Sequence, residues 1–153
     1  MTLEFLIDDL AGAATQTLVK QHLAGMHENS PPESVHAFDL GKLRAPGVTF
    51  WSGWSGQEIA VMGALKQLDA TNGEIKSMRV ADAFLGKGAG RAMLEHIVGQ
   101  ARRMGLKTLW LETGSAPAFM PALQLYETAG FTRCGPFGDH KLDPFSVFMT
   151  REI

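Results

Sequence analysis

The sequence predicts an α/β protein with a mixed central sheet of six to seven strands flanked by helices. Strand-like segments separated by turn signals come first, between Val48 and Val80. An amphipathic helical pattern follows from Met93 to Met104, and a further apolar strand begins at Thr108. Because the order strand, helix, strand makes the two strands parallel neighbours, the sheet is predicted to change from antiparallel to parallel along the chain.

The N-terminal part predicts a short strand at Leu3–Ile7 and then a helix at Leu10–Met26, where apolar residues recur at helical spacing. Either Asp8 or Asp9 is expected to cap this helix, because a carboxylate accepts hydrogen bonds from first-turn amides. Paired prolines end the helix, and a second short helix is expected around Glu33–Leu40.

The middle of the chain predicts an antiparallel hairpin and a third strand. Val48–Trp54 is rich in β-branched and aromatic residues, Ser55-Gly56 is a turn signal, and Glu58–Leu68 gives the return strand. After a second turn signal at Thr71-Asn72-Gly73, Glu74–Val80 forms the third strand.

The last part predicts the parallel section of the sheet and its closing strands. Gly105 is a plausible C′ residue for the helix that begins near Gly90. The remaining predicted elements are a strand at Thr108–Thr113, a short helix at Pro121–Ala129, and closing strands from Phe131 onward and over Pro144–Glu152.

Length and composition indicate one globular domain over residues 1–153. Hydrophobic residues make up 45% and charged residues 20% of the chain. The formal net charge of -2 gives no overall attraction to nucleic acid or to an anionic membrane, so neither is an expected partner. Cys134 is the only cysteine, which excludes an intramolecular disulfide and a cysteine zinc cluster.

The localisation expected from the sequence is cytoplasmic. The first residues lack the basic start and long apolar run of a signal peptide, and no stretch approaches the roughly 18 apolar residues of a membrane span. A single cysteine suits a reducing compartment. The five histidines show no metal-ligand spacing, so no metal is expected.

The sharpest motif is the glycine-rich run Leu85-Gly86-Lys87-Gly88-Ala89-Gly90-Arg91 between a strand and a helix. Free amides at a helix N-terminus bind phosphate, and glycines allow a close approach. A Walker loop needs Ser or Thr after Gly-Lys, and a dinucleotide fingerprint needs G-x-G-x-x-G. Neither pattern is present, so the motif alone leaves open which phosphate ligand binds, or whether the run is only a turn.

The G-x-G-x-G spacing between a strand and a helix resembles the pyrophosphate loop of GNAT acetyltransferases. Gly88 and Gly90 match the family pattern, whereas Leu85 occupies the position of its Arg or Gln. A second segment, Leu125-Tyr126-Glu127-Thr128-Ala129-Gly130-Phe131, resembles the family's Leu-Tyr-x-x-x-Gly-Phe. Ala122 and Gly63 also match family positions, but Phe119 replaces a common asparagine.

This resemblance implies a GNAT fold in which the strands Glu74–Val80 and Thr108–Thr113 splay apart to hold the pantetheine arm of acetyl-CoA. A backbone amide near Met78 to Val80 is then expected to bind the thioester oxygen, where negative charge develops during attack. The residues expected to bind the cofactor are Met78, Arg79, Val80, Leu85, Gly86, Lys87, Gly88, Ala89, Gly90, Arg91, Thr113, Phe119 and Tyr126.

The resemblance also implies acetyl transfer to a primary amine by direct attack, and two residues are expected to be catalytic. An amine with a pKa near ~10 must lose a proton, so a base is needed. Glu74 is the first candidate, Glu112 is the alternative, and a water relay stays open. Tyr126 is expected to stabilise the departing thiolate. His27, His36 and His140 lie in predicted loops that face the substrate side or solvent.

The acceptor itself is not specified by the sequence. The walls of its site are expected in residues 27–39 and 135–148, and a small amine, an amino acid or a protein amine all remain open. The alternative function on the same fold is a non-catalytic acyl-CoA sensor or partner-binding module. Many family members pair through sheet edges or late strands, so a homodimer is a further expectation.

Overall fold

A computed structural model describes residues 2–29 and 40–153 as seven strands in one mixed sheet with helices on both faces. The strands lie in the order β1-β2-β3-β4-β5-β7-β6, and only β4 and β5 run parallel. The predicted α/β class and the change from antiparallel to parallel pairing are therefore confirmed. The strands are β1 Glu4–Ile7, β2 Val48–Ser55, β3 Glu58–Gln67, β4 Asn72–Val80, β5 Thr108–Gly114, β6 Thr132–Cys134 and β7 Ser146–Glu152.

Within residues 2–29 and 40–153, four α-helices accompany the sheet, and the two longer ones lie on opposite faces of it. They are α1 Ala13–Asn29, α2 Leu40–Leu43, α3 Ala89–Arg103 and α4 Met120–Thr128. The helix predicted around Glu33–Leu40 lies outside the described residues except for its last position, where α2 begins. None of the described helices is long and apolar enough to cross a membrane.

The core has two parts, one on each face of the sheet. On one face, buried side chains of α3 such as Met93 and Ile97 pack against β3, β4 and β5 together with Leu123 of α4. On the other face, Leu18 and Val19 of α1 pack against Phe50 of β2 and residues of β3. The sheet is therefore the middle layer of a three-layer domain, as apolar surface on both faces requires.

Helix α1 begins three residues later than predicted, because the aspartates before it make other contacts. Asp8 accepts a hydrogen bond from the Leu10 amide at 2.7 Å, and Leu10 adopts a left-handed φ of 66°. The second carboxylate oxygen of Asp8 accepts from the hydroxyls of Thr15 and Ser52 at 2.8 and 2.6 Å. Asp8 thus joins β2 to the first turn of α1, and the amides that Asp8 and Asp9 bind, those of Leu10 and Ala11, lie before the helix begins.

Helix α3 follows its sequence pattern closely and ends as predicted. Its apolar residues recur at three- and four-residue spacing and face the sheet. Gly105 has a φ of 83°, and its amide donates to the Arg102 carbonyl at 3.0 Å. The Leu106 amide donates to the Ala101 carbonyl at 3.0 Å, which completes a Schellman motif. This ending turns the chain directly into β5.

Candidate functional site

The parallel strands β4 and β5 separate halfway along their length. They pair from Asn72 opposite Thr108 to Ile75 opposite Leu111, and the register ends there. Beyond that point β5 stays paired with β7 as far as Gly114 opposite Ser146. The predicted splay between these two strands is therefore confirmed, and it opens a gap at the centre of the sheet.

A β-bulge lies in β4 where the gap opens. Met62 pairs with Arg79 and Ala64 pairs with Lys76, so two residues of β4 lie opposite Gly63 alone. Ser77, one of the two, has a φ of 57°, which is unusual for a residue with a side chain. A Cβ on Gly63 would lie 2.8 Å from Met78 Sδ, so glycine is needed for the bulge to pack.

The glycine-rich run forms the connection from β4 into α3. Gly86 and Gly88 adopt φ values of 72° and 83°, and Gly88 is the N-cap residue of α3. A Cβ on either glycine would meet no atom within 4 Å, so the space in front of the helix end is open. The first-turn amides of α3 have no intrahelical partners and lie at the positive end of the helix dipole. This combination suits a phosphate group.

A cavity of about 600 Å³ extends from this helix end along the open edge of β4. Its walls come from α1, the second half of β4, the glycine-rich run and α4, and they are mainly apolar. The predicted cofactor residues that line it are Met78, Arg79, Val80, Leu85, Gly86, Gly88, Ala89, Gly90, Arg91, Phe119 and Tyr126.

Two predicted cofactor residues do not line this cavity. The Lys87 ammonium lies 5.8 Å from the centre of the Phe84 ring, and Thr113 is on β5. Sequence reasoning also missed three wall residues of α1, namely His22, Gly25 and Met26. No motif marks these three, because α1 reaches the cavity only through tertiary packing.

The residues present fit a CoA pyrophosphate and pantetheine arm. Open glycine backbone and free amides lie at one end, and apolar side chains line the rest of a channel beside an unpaired strand edge. Arg79 and Arg91 add positive charge to the walls. An anionic headgroup with an amide-bearing arm matches this distribution of charge and backbone groups.

Tyr126 lies at the α4 side of the same cavity and is only 6% exposed. Burial raises the pKa of its phenol well above the ordinary value of 10.0. The phenol therefore stays protonated at neutral pH and can donate a hydrogen bond into the cavity.

His22 is neutral on the opposite wall. Desolvation by burial, with a smaller contribution from the Arg79 charge, lowers the pKa of His22 from 6.5 to about 4. A neutral imidazole next to Arg79 leaves the guanidinium as the positive group on this wall.

A second cavity, of about 670 Å³, lies at the other end of β4. It includes the first half of β4, the β3–β4 turn, Trp110 of β5 and the loop before β7. The two cavities share no lining residue, and β4 is the strand that contributes to both. The residues of the second cavity are Lys66, Gln67, Leu68, Asp69, Asn72, Glu74, Lys76, Trp110, Phe137, Gly138, Asp139 and His140.

Glu74 lies in this second cavity at the centre of a charged cluster. It is only 4% exposed, and its Oε2 atom accepts from Lys76 Nζ at 2.8 Å and contacts His140 Nε2 at 2.9 Å. The other ring nitrogen of His140, Nδ1, is 3.4 Å from Glu112 Oε1. The structure thus brings together both candidate bases and the loop histidine, which lie far apart in the sequence.

The aromatic wall of the second cavity is held rigidly. The indole nitrogen of Trp110 donates to Asn72 Oδ1 at 2.9 Å, and its ring packs against Phe137 at a centroid distance of 5.5 Å.

Among the described residues no cluster of His, Cys, Asp and Glu has the geometry of a metal site. The side chains of His27 and His36 lie outside what the structure describes.

Comparison with known proteins agrees with this architecture. A model of the Acetyltransferase (GNAT) family matches residues 15–131. The uncharacterized N-acetyltransferase YsnE of Bacillus subtilis is 52% identical over 147 residues, which are 96% of this chain and 97% of that protein. The uncharacterized N-acetyltransferase YedL of Escherichia coli is 49% identical over 143 residues, covering 94% and 90% of the two chains.

Among solved structures, a GNAT family acetyltransferase from Elizabethkingia anophelis with acetyl-CoA bound superposes with a TM-score of 0.71. The superposition covers 99% of this chain and 98% of that one at 18% identity, so it supports the fold alone.

Proposed function

The chain belongs to the GNAT acetyltransferase family and is an acetyl-CoA-dependent acetyltransferase, and from this premise we propose that it acetylates a primary amine by direct attack in a ternary complex. Acetyl-CoA occupies the 600 Å³ cavity and the amine occupies the 670 Å³ cavity. The single observation that carries the proposal is that β4 lines both cavities. The bulge at Ser77 lies between its two groups of lining residues, and the acetyl group is transferred there.

In this proposal the cofactor cavity is used from end to end. The amides at the start of α3 bind the pyrophosphate, and the unpaired edge of β4 hydrogen-bonds the pantetheine amides. A β4 amide between Met78 and Val80 donates to the thioester oxygen as negative charge develops on it. This edge of β4 has no strand partner beyond Ile75, because the parallel pairing with β5 ends there.

Glu74 is the proposed general base. The attacking amine must lose a proton, and Glu74 is the buried carboxylate in the acceptor cavity. Lys76 and His140 hold the carboxylate in one orientation, which lowers the entropic cost of positioning it. Glu112 touches His140 and is not a lining residue of the cavity, which favours Glu74 over it.

Tyr126 is proposed to hydrogen-bond the departing thiolate without giving up its proton. At unperturbed values, transfer from a phenol near pKa ~10 to a thiolate near ~8.5 is uphill by about 2 kcal/mol. Burial raises the pKa of Tyr126 further, so complete transfer becomes less favourable and hydrogen bonding remains.

The acceptor cavity fits a primary amine on a small molecule or on a single protein residue. The carboxylates of Asp69, Glu74 and Asp139 outnumber the ammonium groups of Lys66 and Lys76 in its walls, which favours a cationic ligand. The face of Trp110 gives that ligand an apolar and cation-binding wall. The proposal also includes a single domain over residues 1–153 and a cytoplasmic location.

Calorimetric titration with acetyl-CoA, CoA and ATP tests the cofactor site first. We expect micromolar binding of acetyl-CoA, no binding of ATP, and loss of acetyl-CoA binding in Gly88→Trp, because an indole at this helix end fills the open space. Gly56→Trp is the matched control, since Gly56 also has a positive φ and open surroundings but lies in the β2–β3 turn. A folded wild-type protein that binds neither CoA species would refute the proposal.

Release of free thiol with a panel of amines then separates an enzyme from a sensor. We expect Glu74→Gln to lower kcat by about 100-fold or more, because general-base catalysis contributes about 10²–10⁴. The dissociation constant for acetyl-CoA should change little. Glu58→Gln is the control, since Glu58 is an exposed carboxylate at the start of β3.

A further inference from the structure

His140 lies between two carboxylates that come from neighbouring strands. Its Nε2 atom is 2.9 Å from Glu74 Oε2, and its Nδ1 atom is 3.4 Å from Glu112 Oε1. The imidazole is also fixed in place by its surroundings. Its ring packs against Phe137 and Phe148 at centroid distances of 4.7 and 5.8 Å, and the His140 amide donates to the Phe137 carbonyl at 3.0 Å.

The two carboxylates make the same demand on both ring nitrogens of His140. A neutral imidazole has one N–H donor and one nitrogen lone pair, whichever tautomer it adopts. With both carboxylates ionised, one contact is a hydrogen bond and the other sets a lone pair against a negative oxygen. Adding one proton to the ring places an N–H on each nitrogen, so both contacts then set a positive ring against a negative oxygen. The cluster therefore gains a favourable contact when it takes up a proton.

The charges of the cluster point the same way. Lys76 also donates to Glu74, and its positive charge opposes the uptake of a further proton by the cluster. Two carboxylates and one ammonium give the four side chains a net charge of -1 when the imidazole is neutral. One added proton brings the cluster to zero. The four side chains therefore carry less net charge after the ring has accepted a proton than before.

We propose that His140 is a positioning residue for Glu74 that also takes up, through Glu74, the proton that the acceptor amine loses. This proposal rests on the proposed acetyl transfer to an amine. As the amine nitrogen bonds to the acetyl carbonyl carbon, the carbon–sulfur bond breaks and sulfur leaves as a thiolate. The N–H proton passes to Glu74 Oε2 and then to His140 Nε2, while Nδ1–H donates to Glu112.

Other charged side chains line the same cavity and set its background field. They are Lys66 and Asp69 at the β3–β4 end and Asp139 in the loop beside His140. All three stay in place in the variants below, so a difference between variants reports on the cluster and not on these groups.

The pH dependence of kcat is the readout that a purely structural role would leave unchanged. We compare the kcat of wild type, His140→Gln and Glu112→Gln over a series of pH values, using an amine that the panel identifies. Lys107→Gln is the control, since Lys107 is an exposed residue just before β5 and lines neither cavity. We expect His140→Gln to lower kcat about 10-fold or more and to lose the wild-type inflection, because glutamine cannot take up a proton. Acetyl-CoA binding should be unchanged.

A measurement on the protein without an acceptor tests the role of the cluster independently of which amine is acetylated. Two-bond nitrogen–proton NMR spectra report which ring nitrogens of His140 carry protons, and His140→Gln assigns the signals. We expect the spectrum to change in Glu112→Gln and in Glu74→Gln, since each substitution removes one negative partner of the ring.

The outcomes separate the two proposals. If wild type binds no acetyl-CoA or acetylates no amine, the proposed function fails and the role of His140 fails with it. If wild type is active but His140→Gln keeps its kcat and its pH profile, only the role of His140 is overturned. An imidazole spectrum that is the same in wild type, Glu74→Gln and Glu112→Gln would also overturn the role of His140.

Discussion

At the scale of single residues, burial decides what a functional group can do. Tyr126 and Glu74 are both nearly inaccessible to solvent, yet their surroundings differ. Tyr126 packs against Phe131 in an apolar environment, which favours the neutral phenol. Glu74 contacts Lys76 and His140, which supply the charges and hydrogen bonds that a buried carboxylate requires. The first environment keeps the phenol protonated, and the second holds a carboxylate in one orientation, as the proposed roles of Tyr126 and Glu74 require.

Tyr126 allows a direct spectroscopic prediction, because it is the only tyrosine in the chain. Since burial raises the pKa of its phenol, the folded protein should show no phenolate absorbance near pH ~10, where an exposed tyrosine is half ionised. The same chain unfolded in guanidinium should titrate near that ordinary value. Half-ionisation of the folded protein near pH ~10 would contradict the buried environment of Tyr126.

At the scale of elements, β4 is the strand on which the site depends. Its first half pairs with both neighbours, and its second half pairs only with β3. The bulge at Ser77 changes which side chains face α3, so Met78 packs on that helix while Arg79 reaches α1 near Gly25. One strand thereby contributes Glu74 to one cavity and the residues from Met78 to Val80 to the other.

Two Gly→Ala substitutions separate tertiary packing at the bulge from the intrinsic helix propensity of alanine. A Cβ in Gly63→Ala would lie 2.8 Å from Met78 Sδ and 2.9 Å from Ile97 Cδ1, so we expect a loss of about 1–3 kcal/mol in the free energy of unfolding. In Gly99→Ala the Cβ meets nothing within 4 Å, and alanine in a helix interior should add about 0.5–1 kcal/mol.

Guanidinium unfolding of the two variants beside wild type measures both effects. Because each adds the same methyl group, opposite signs would show that tertiary contact at the bulge is responsible. A Gly63→Ala protein as stable as wild type would mean that β4 can shift to accept the methyl group.

At the scale of the whole molecule, both cavities depend on three layers meeting around one gap in the sheet. The cofactor cavity takes walls from α1, β4 and α4, which belong to all three layers. His22 is buried by this assembly, and its folded-state pKa falls to about 4. The energetic consequence is a stability that depends on pH.

The sign of that dependence follows from proton uptake. Below its ordinary pKa of 6.5, His22 binds a proton in the unfolded chain, but the folded chain resists this until about pH 4. The contribution is therefore present above 6.5 and is lost as pH falls from 6.5 towards 4. We expect a difference on the order of 2 kcal/mol across this window.

Comparison with His22→Gln isolates this contribution, because all other titrating groups are shared. Unfolding midpoints of wild type should fall more steeply with acidification than those of the variant. Parallel curves would show that His22 is hydrated in the folded protein.

Local patterns in the sequence determined most of the fold. Hydrophobic periodicity marked α3 and the strands β2 to β5, Gly105 marked the end of α3, and the glycine-rich run together with the segment around Tyr126 indicated the family and the cofactor end of the site. These features are local because helix periodicity, turn conformation and free helix-end amides each depend on a few neighbouring residues. The predicted start of α1 was wrong, because Asp8 hydrogen-bonds Ser52, a residue that is distant in the sequence.

Only the tertiary structure decided which side chains meet. His140 was one loop histidine among three in the sequence, and Glu74 and Glu112 were alternatives with no visible connection. The fold places Glu74 and Glu112 on neighbouring strands and directs His140 between them through the loop before β7. The contribution of α1 to the cofactor cavity is of the same kind. Such contacts join residues far apart along the chain, and their distances depend on packing that no local pattern encodes.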